Sequence, residues 1–391
     1  MALRADRRLL GDDVNHDDRS FPDPAVDGAR MRLAVPADNE QLLSLFSDVP
    51  MRGSLVLSTE RSPDFFALYD QQDATTECWV YDDNGSINAM GTFIYRAGWH
   101  NGQPATVTYL GDLRARPNAR GALARLYGET LATSAKPHDT AGFYTGILAS
   151  NEQALAALTR RSKKRSGQPI YHPLRDYDAV QVQFFRKPPA VSGVAVVTAD
   201  QLAISDVTAF LNDAHRDRPF GYRFDRELPH RLANWPGFSA ENTYVAHDGS
   251  GAIVGVCTAW DAAPVKQYRV RAYRGSMRAF RWAYNAAAWP LGQPSLPAPG
   301  ACFNYLYLAN LAVPSNDPDV LRALLRRVMS DNSRAGYHFI MVYMERGARL
   351  NEALGGLMVQ RLPFRLFAVT ASDAPEPNFS DATTGFEIAL A

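Results

Sequence analysis

Tyr109 to Leu131 reads YLGDLRARPNARGALARLYGETL, an apolar strand that passes through a Pro117-Asn118 turn and a basic Arg120-Gly121 step straight into an amphipathic helix. Such a junction makes an anion cradle. The first turn of a helix leaves backbone N–H groups unpaired, and its positive dipole end favours negative charge. Gly121 lets the backbone approach an anion closely, while Arg116 and Arg120 add charge at the same place. The stretch predicts a strand-turn-helix unit that holds a phosphate group.

Two other stretches extend this reading. Gly142 to Leu148, GFYTGIL, reads as a buried strand, and Asn151-Glu-Gln-Ala154 opens an apolar-periodic helix behind it. Farther on, Cys302 to Val328 repeats the strand-turn-helix plan: Tyr307, Leu308, Leu311, Leu321 and Leu324 align without gaps on Tyr109, Leu110, Leu113, Leu123 and Leu126. Asn351 to Leu357 echoes Asn151 to Leu158, again after an apolar strand, Phe339 to Met344. Two copies of one domain are the simplest explanation.

The motif around Leu113 resembles the signature of the GNAT superfamily of acyl-CoA-dependent N-acyltransferases, which reads roughly L-x-V-x-P-x-x-R-G-x-G-x-G/A. Leu113, Ala115, Pro117, Arg120 and Gly121 fall on its first half without a gap. In that register Leu123 and Arg125 stand where the family has small residues; a register one residue shorter places Ala122 and Ala124 there instead. The resemblance implies that Leu113, Ala115, Arg120, Gly121, Ala122 and Ala124 bind acetyl-CoA or another acyl-CoA. It also implies that the strand holding Tyr144 splays from its neighbour to admit the pantetheine arm, with Asn151 helping to hold it. The family often has a tyrosine seven residues after this asparagine, as acid for the leaving thiolate; here that position is Leu158. In the second copy Ser315 to Asp319 replaces the Arg-Gly step, and Asp317 and Asp319 suit helix capping while repelling pyrophosphate. The second domain is therefore expected not to bind CoA in the family's way.

The expected fold is α/β, with a mixed, largely antiparallel central sheet flanked by helices, in two tandem GNAT-like domains. A disordered arm, 1–29, precedes the first domain, 30–186; Lys187-Pro-Pro189 and Ser192-Gly193 mark a linker, 187–193; the second domain covers 194–391. Within the first domain, Met31–Val35 reads as a strand, Pro36–Asn39 starts a helix, and Ser62–Phe66 starts another. Asp83-Asn-Gly85 and Asn101-Gly102 join a meander of strands, and Ala179–Phe185 closes the domain. The second domain repeats the order with strands at Val194–Thr198, Thr243–His247 and Ile253–Trp260 and a helix over Ala199–Ala214. It then departs, with an insertion at about 262–300 that interleaves six basic residues with aromatic ones. An insertion of about 40 residues is too long for a structureless loop, so a helix packing its aromatics inward, or a lid or contact surface, is expected there.

At 391 residues the chain is long enough for two hydrophobic cores. With 41 basic against 41 acidic residues there is no overall field to attract a polyanion, and nucleic acid is disfavoured as a general partner. Cys78, Cys257 and Cys302 lie far apart in apolar runs without C-x-x-C spacing, so buried free thiols are expected and no metal. No apolar run reaches membrane-spanning length, and a cytoplasmic setting is the default.

Two residues are candidates for chemistry. Asp112, between Gly111 and Leu113, lies where the resemblance brings thioester and amine together, and a carboxylate there either takes the amine proton or orders the nearby loop. Asn310 is its counterpart in the second copy and cannot serve as a base. Tyr144 is the candidate acid, with Tyr109, His100, His138 and His172 as other protonatable groups. The expected function is N-acyl transfer, from acetyl-CoA or another acyl-CoA to a primary amine of a small molecule or peptide. The alternatives are an aminoacyl-tRNA-dependent transferase, which the basic insertion suits, and a non-catalytic GNAT-fold binding protein.

Overall fold

Two Asn-Gly turns set the first half of the sheet. Strands β1 (Ala29–Leu33) and β2 (Leu55–Glu60) flank helix α1 (Asn39–Asp48), and helix α2 is one turn, Ala67–Asp70. Strands β3 (Ala74–Asp83), β4 (Ser86–His100) and β5 (Gln103–Ala115) follow as a meander. Its turns, Asn84-Gly85 and Asn101-Gly102, have positive φ at both residues. That conformation matches the twist of the flanking strands and selects Asn-Gly. Strand β6 (Thr140–Leu148), helix α3 (Glu152–Thr159) and strand β7 (Ile170–Gln183) complete this half. The computed structural model describes residues 29–51, 53–119, 131, 138–159, 168–371, 377, 379, 382–387 and 390.

The second half runs through β8 (Ala195–Thr198), α4 (Ile204–Arg216), β9 (Gly221–Tyr222), α5 (Phe224–Asn234), β10 (Thr243–His247) and β11 (Ile253–Trp260). The insertion supplies β12 (Gln267–Tyr273) and α6 (Ser276–Ala288). Then come β13 (Tyr305–Ala312), α7 (Pro318–Asp331), β14 (Phe339–Glu345) and β15 (Val359–Thr370). Asp317 caps α7, its carboxylate accepting the Asp319 N–H at 2.9 Å, and Pro318 occupies the first turn, where no N–H is needed. The spacing of Leu321, Leu324, Leu325 and Val328 gives α7 one buried face.

One sheet carries both halves, in the order β1-β3-β4-β5-β6-β15-β7-β14-β13-β11-β10-β8, with β9 added beside β4. The pairs β5–β6 and β13–β14 are parallel, and the other neighbours on this path are antiparallel. This is the mixed, mostly antiparallel sheet that the sequence predicts. Strand β15, from the second half, lies between β6 and β7 of the first, so the halves share backbone hydrogen bonds. One apolar core runs through both, from Leu42 and Phe46 to Tyr109, Tyr144, Phe220, Trp260 and Tyr307. Separate clusters cover the sheet's other face under α7 and around Leu110, Leu131 and Phe143. No helix among the described residues is long and apolar enough to cross a membrane.

Two expectations change. The helix expected from Ser62 is the single turn α2, and the insertion begins with a strand, β12, which pairs with the unanticipated β2. The three thiols are free; Cys78 and Cys257 are buried and their pKa values pushed up by burial.

The junction of α4 and β9 contains a buried titratable group. His215 is 4% exposed and accepts the Tyr222 N–H at Nδ1, 3.2 Å away. Burial, with Arg218 and Arg231 nearby, holds its pKa well below the ordinary value. The unfolded chain therefore takes a proton near pH 6.5 that the folded chain refuses, so stability is full above that pH and falls below it. Urea melts are expected to show stability dropping by up to about 1.4 kcal/mol per pH unit below pH 6.5 relative to His215→Asn. Parallel pH profiles for the two proteins would refute this.

Candidate active site

Strand β5 bends where its two neighbours cease to agree. Its antiparallel register with β4 shifts from Thr92↔Gly111 to Met90↔Arg114, leaving one extra residue at Asp112-Leu113. This bulge puts Asp112 at φ +52°, a left-handed conformation that a short polar side chain tolerates better than a bulky one. A Cβ at Gly111 would lie 2.9 Å from the Tyr109 ring, so the residue before the bulge must be small. On the other side, parallel pairing with β6 reaches Tyr109↔Tyr144 and goes no further among the described residues. Beyond it, the Thr145 hydroxyl donates to the Leu110 carbonyl at 2.7 Å. Strands β5 and β6 thus open into a wedge that begins at Tyr109 and passes the bulge.

The second half repeats this geometry. Register between β11 and β13 shifts from Thr258↔Ala309 to Val256↔Ala312, Asn310 has φ +52°, and parallel pairing of β13 with β14 reaches Tyr307↔Met341. Asp112 and Asn310 therefore mark the same device, a bulge beside a strand wedge. The sequence repeat signals both.

What the two wedges hold differs. In the second, the chain's own residues enter: Glu387 accepts the Asn310 backbone N–H at 2.6 Å and pairs with Arg231 at 2.7 Å. Arg231, fully buried, also donates to Glu227 at 2.7 Å and to the Asn310 side-chain oxygen at 2.5 Å. Phe386 sits between the two wedges, packing on Tyr109 and Tyr144 of the first, with centroids 5.5 and 6.3 Å away, and on Tyr343 of the second at 4.7 Å. A cavity of about 460 Å³ remains, lined in part by Leu308, Leu311, Asn316, Glu345 and Thr384. Residues 384–387 thus line this wedge and narrow it without filling it, beside the acidic turn at Asp317 and Asp319.

Asp112 is held by charge. Its carboxylate lies 2.7 Å from Arg61 Nη2 and accepts the Tyr69 hydroxyl. Arg61 is itself buried, its guanidinium 4.9, 5.3 and 4.9 Å from the ring centroids of Phe46, Phe65 and Tyr69. Burial alone would raise the Asp112 pKa, but the Arg61 charge, the Tyr69 hydrogen bond and the Arg114 charge hold it below the usual carboxylate value. Lys266, from the insertion, adds to this effect from a fully buried position near Tyr268 and Tyr307. The ion pair with Arg61 and the bond from Tyr69 favour the second of the two readings of Asp112, an Asp that orders the bulge. Nothing at Leu55–Glu60 in sequence indicated that the next residue, Arg61, would be its partner.

Tyr144 does not present an acid to the wedge. It is fully buried, stacked on Phe220 at 4.4 Å and tilted against Tyr109 at 5.2 Å, with burial raising its pKa. Strand alternation explains this: Phe143 faces Leu110 and Leu131 on one side of the sheet, which turns Tyr144 into the core on the other.

Of the expected binding residues, Arg120, Gly121, Ala122 and Ala124 lie outside the described residues. The turn leading to them has formed: Pro117–Ala119 is a 3-10 turn in which Ala119 N–H donates to Arg116 O at 3.0 Å. Leu113 and Ala115 lie on β5 at the wedge, Leu113 packing against the Leu110 and Phe143 cluster. Arg116 turns away, donating to Ile87 O at 2.8 Å and pairing with Asp48 at 2.7 Å, so its charge is committed to α1 rather than to the cradle. Asn151 caps α3, its oxygen accepting the Ala154 N–H at 3.1 Å.

No family model matches the chain, and no curated protein does. Among solved structures, a GCN5-related N-acetyltransferase from Sphaerobacter thermophilus matches at 16% identity, over 88% of this chain and 96% of its own, with a TM-score of 0.51. N-myristoyltransferase from Saccharomyces cerevisiae with bound myristoyl-CoA matches at 10% identity, over 96% and 93%, with a TM-score of 0.54. A further structure of that yeast enzyme matches at 10% identity over 92% and 84%, with a TM-score of 0.55. At these identities the likeness speaks for the fold and leaves the chemistry to the site. With a bulge and a wedge in each half, and with these structural neighbours, the chain has a tandem GNAT-like fold.

Proposed function

We propose that the chain is an N-acyltransferase in which the first half, 30–186, takes an acyl-CoA, acetyl-CoA in the simplest case, and passes its acyl group to a primary amine of a small molecule or peptide. The observation that carries this is the contrast between the wedges. In the β13–β14 wedge Glu387 takes the bulge N–H of Asn310 and the acidic turn at Asp317 and Asp319 follows, whereas β5 leads from its bulge through Pro117–Ala119 to the basic, glycine-containing step at Arg120-Gly121. The second half, 194–391, then contributes walls and support across the linker 187–193, in a cytoplasmic setting.

In this reading the thioester enters the wedge with its carbonyl toward the backbone of β5, where N–H donors stabilise the oxyanion. Positioning of a neutral amine supplies much of the rate, and water takes its proton, since Asp112 is held ionised by Arg61. Asp112 and Arg61 position the bulge. CoA leaves as a thiol, drawing a proton from solvent in the absence of a tyrosine at Leu158.

The test is release of CoA thiol from acetyl-, butyryl- and longer acyl-CoAs across a panel of primary amines. Amine-dependent release that survives Tyr144→Phe supports the proposal. CoA binding with no release on any amine supports the alternative favoured by the ion-paired Asp112 and buried Tyr144, a binding protein that keeps the fold without the chemistry.

A further inference from the structure

The insertion supplies a surface that the transfer chemistry does not use. Strand β12 pairs with β2 from Gln267↔Glu60 to Tyr273↔Leu55, and α6 is fixed behind it by buried Tyr284 and Ala288 and by Asn285, which accepts the Leu296 N–H at 2.8 Å. The helix therefore sits on a rigid base. Its outward side carries Trp282, 76% exposed, and the 3-10 turn that follows it, Trp289–Leu291, carries Trp289 and Leu291, 85% and 58% exposed. Arg278 and Trp282, four residues apart, share one side of the helix. Ala279, Ala283 and Ala286 between them are exposed and small, so the indoles stand clear of the surface.

The inserted segment itself carries charge of one sign. Residues 262–300 contain Lys266, Arg269, Arg271, Arg274, Arg278 and Arg281 and no Asp or Glu, in a chain whose net charge is zero. Arg269 and Arg271 pair with Glu60 at 3.3 and 3.2 Å, and Arg281 lies over the Tyr273 ring. Arg274 and Arg278 are exposed beside the tryptophans. A convex helix with protruding indoles and flanking arginines suits a soft anionic boundary, where indole rings settle at headgroup level and guanidinium groups meet phosphate.

We propose that α6 and the turn after it, Trp289–Leu291, dock the protein, with the helix lying in the plane, on an anionic phospholipid surface, with Trp282, Trp289 and Leu291 at the headgroup–acyl boundary and Arg274 and Arg278 against the headgroups. This proposal is independent of the acyl-transfer reading. The experiment is co-sedimentation of the full chain with vesicles of phosphatidylcholine alone and of phosphatidylcholine with phosphatidylglycerol, with tryptophan emission recorded in parallel. Binding is expected to the mixed vesicles, accompanied by a blue shift and weakened by salt. Trp282→Ala with Trp289→Ala should abolish it without changing the thermal melt, since neither ring is packed. Arg274→Gln and Arg278→Gln should each weaken it by about fivefold. Absence of binding to either vesicle, equal binding to both, or full binding by the double tryptophan variant would overturn the proposal. So would a dimer in lipid-free solution that the same double substitution dissociates, or binding of a short RNA in place of vesicles.

Discussion

Arg61→Met is expected to destabilise the protein by about 3–5 kcal/mol, because it strands the Asp112 carboxylate in the core without a counter-charge. The guanidinium is 1% exposed and the carboxylate 11%. Asp112→Asn should cost a similar amount, for the mirror-image reason that Arg61 then keeps an uncompensated charge. An amide fits the bulge conformation, since Asn310 adopts the same φ in the second half. The double variant, Arg61→Met with Asp112→Asn, should therefore recover most of the loss and lie within about 2 kcal/mol of the wild type. Urea denaturation of the four proteins measures the coupling directly; additive losses would show that the pair is not what holds the bulge. The pH dependence has a definite sign. The folded pKa of Asp112 is below its unfolded value near 3.8, so the pair's contribution is complete above that pH and is lost as pH falls through the folded pKa.

Arg231→Met should have an effect of the same order, about 3–5 kcal/mol. Arg231 neutralises Glu227 and Glu387 at 2.7 Å each, and without it two carboxylates share a buried space. Glu387→Gln in the same background should restore part of the stability, because it removes one of the two unpaired charges. Release of residues 384–387 from the second wedge should accompany the loss, read as faster protease cleavage between residues 371 and 387. No recovery in the double variant, with cleavage unchanged, would mean that Glu387 is not held there by charge.

Local chemistry made much of the fold legible. Asn84-Gly85 and Asn101-Gly102 could only be tight turns, and the alternation between them gave the meander and its register. The Asp112 and Asn310 bulges lay in the one gapless internal alignment, which is why the repeat identified them before their geometry was known. What stayed hidden depends on distant partners. Leu55–Glu60 is a strand because the insertion places β12 beside it, more than 200 residues later. Strand β15 contains Pro363, a residue that argues against a central strand. The structure accommodates it at the end of β6: Pro363 accepts from Ala149 N–H, while β6 pairing begins at Phe364↔Leu148, so the missing N–H breaks no ladder bond. The site was legible as a location but not as chemistry, because the partner of Asp112 and the burial of Tyr144 arise from packing across the chain.

The most direct test of the central claim, that the first half takes an acyl-CoA, is the thermal stability of the full chain with and without saturating acetyl-CoA, beside Arg120→Glu and Asn316→Ala. A ligand at about 100 times its Kd stabilises by about 2.7 kcal/mol, which is readily seen as a rise in Tm. The account predicts a rise that Arg120→Glu removes and that Asn316→Ala, at the second wedge, leaves intact. No rise with acetyl-CoA or any longer acyl-CoA, or a rise lost in Asn316→Ala and kept in Arg120→Glu, would contradict it.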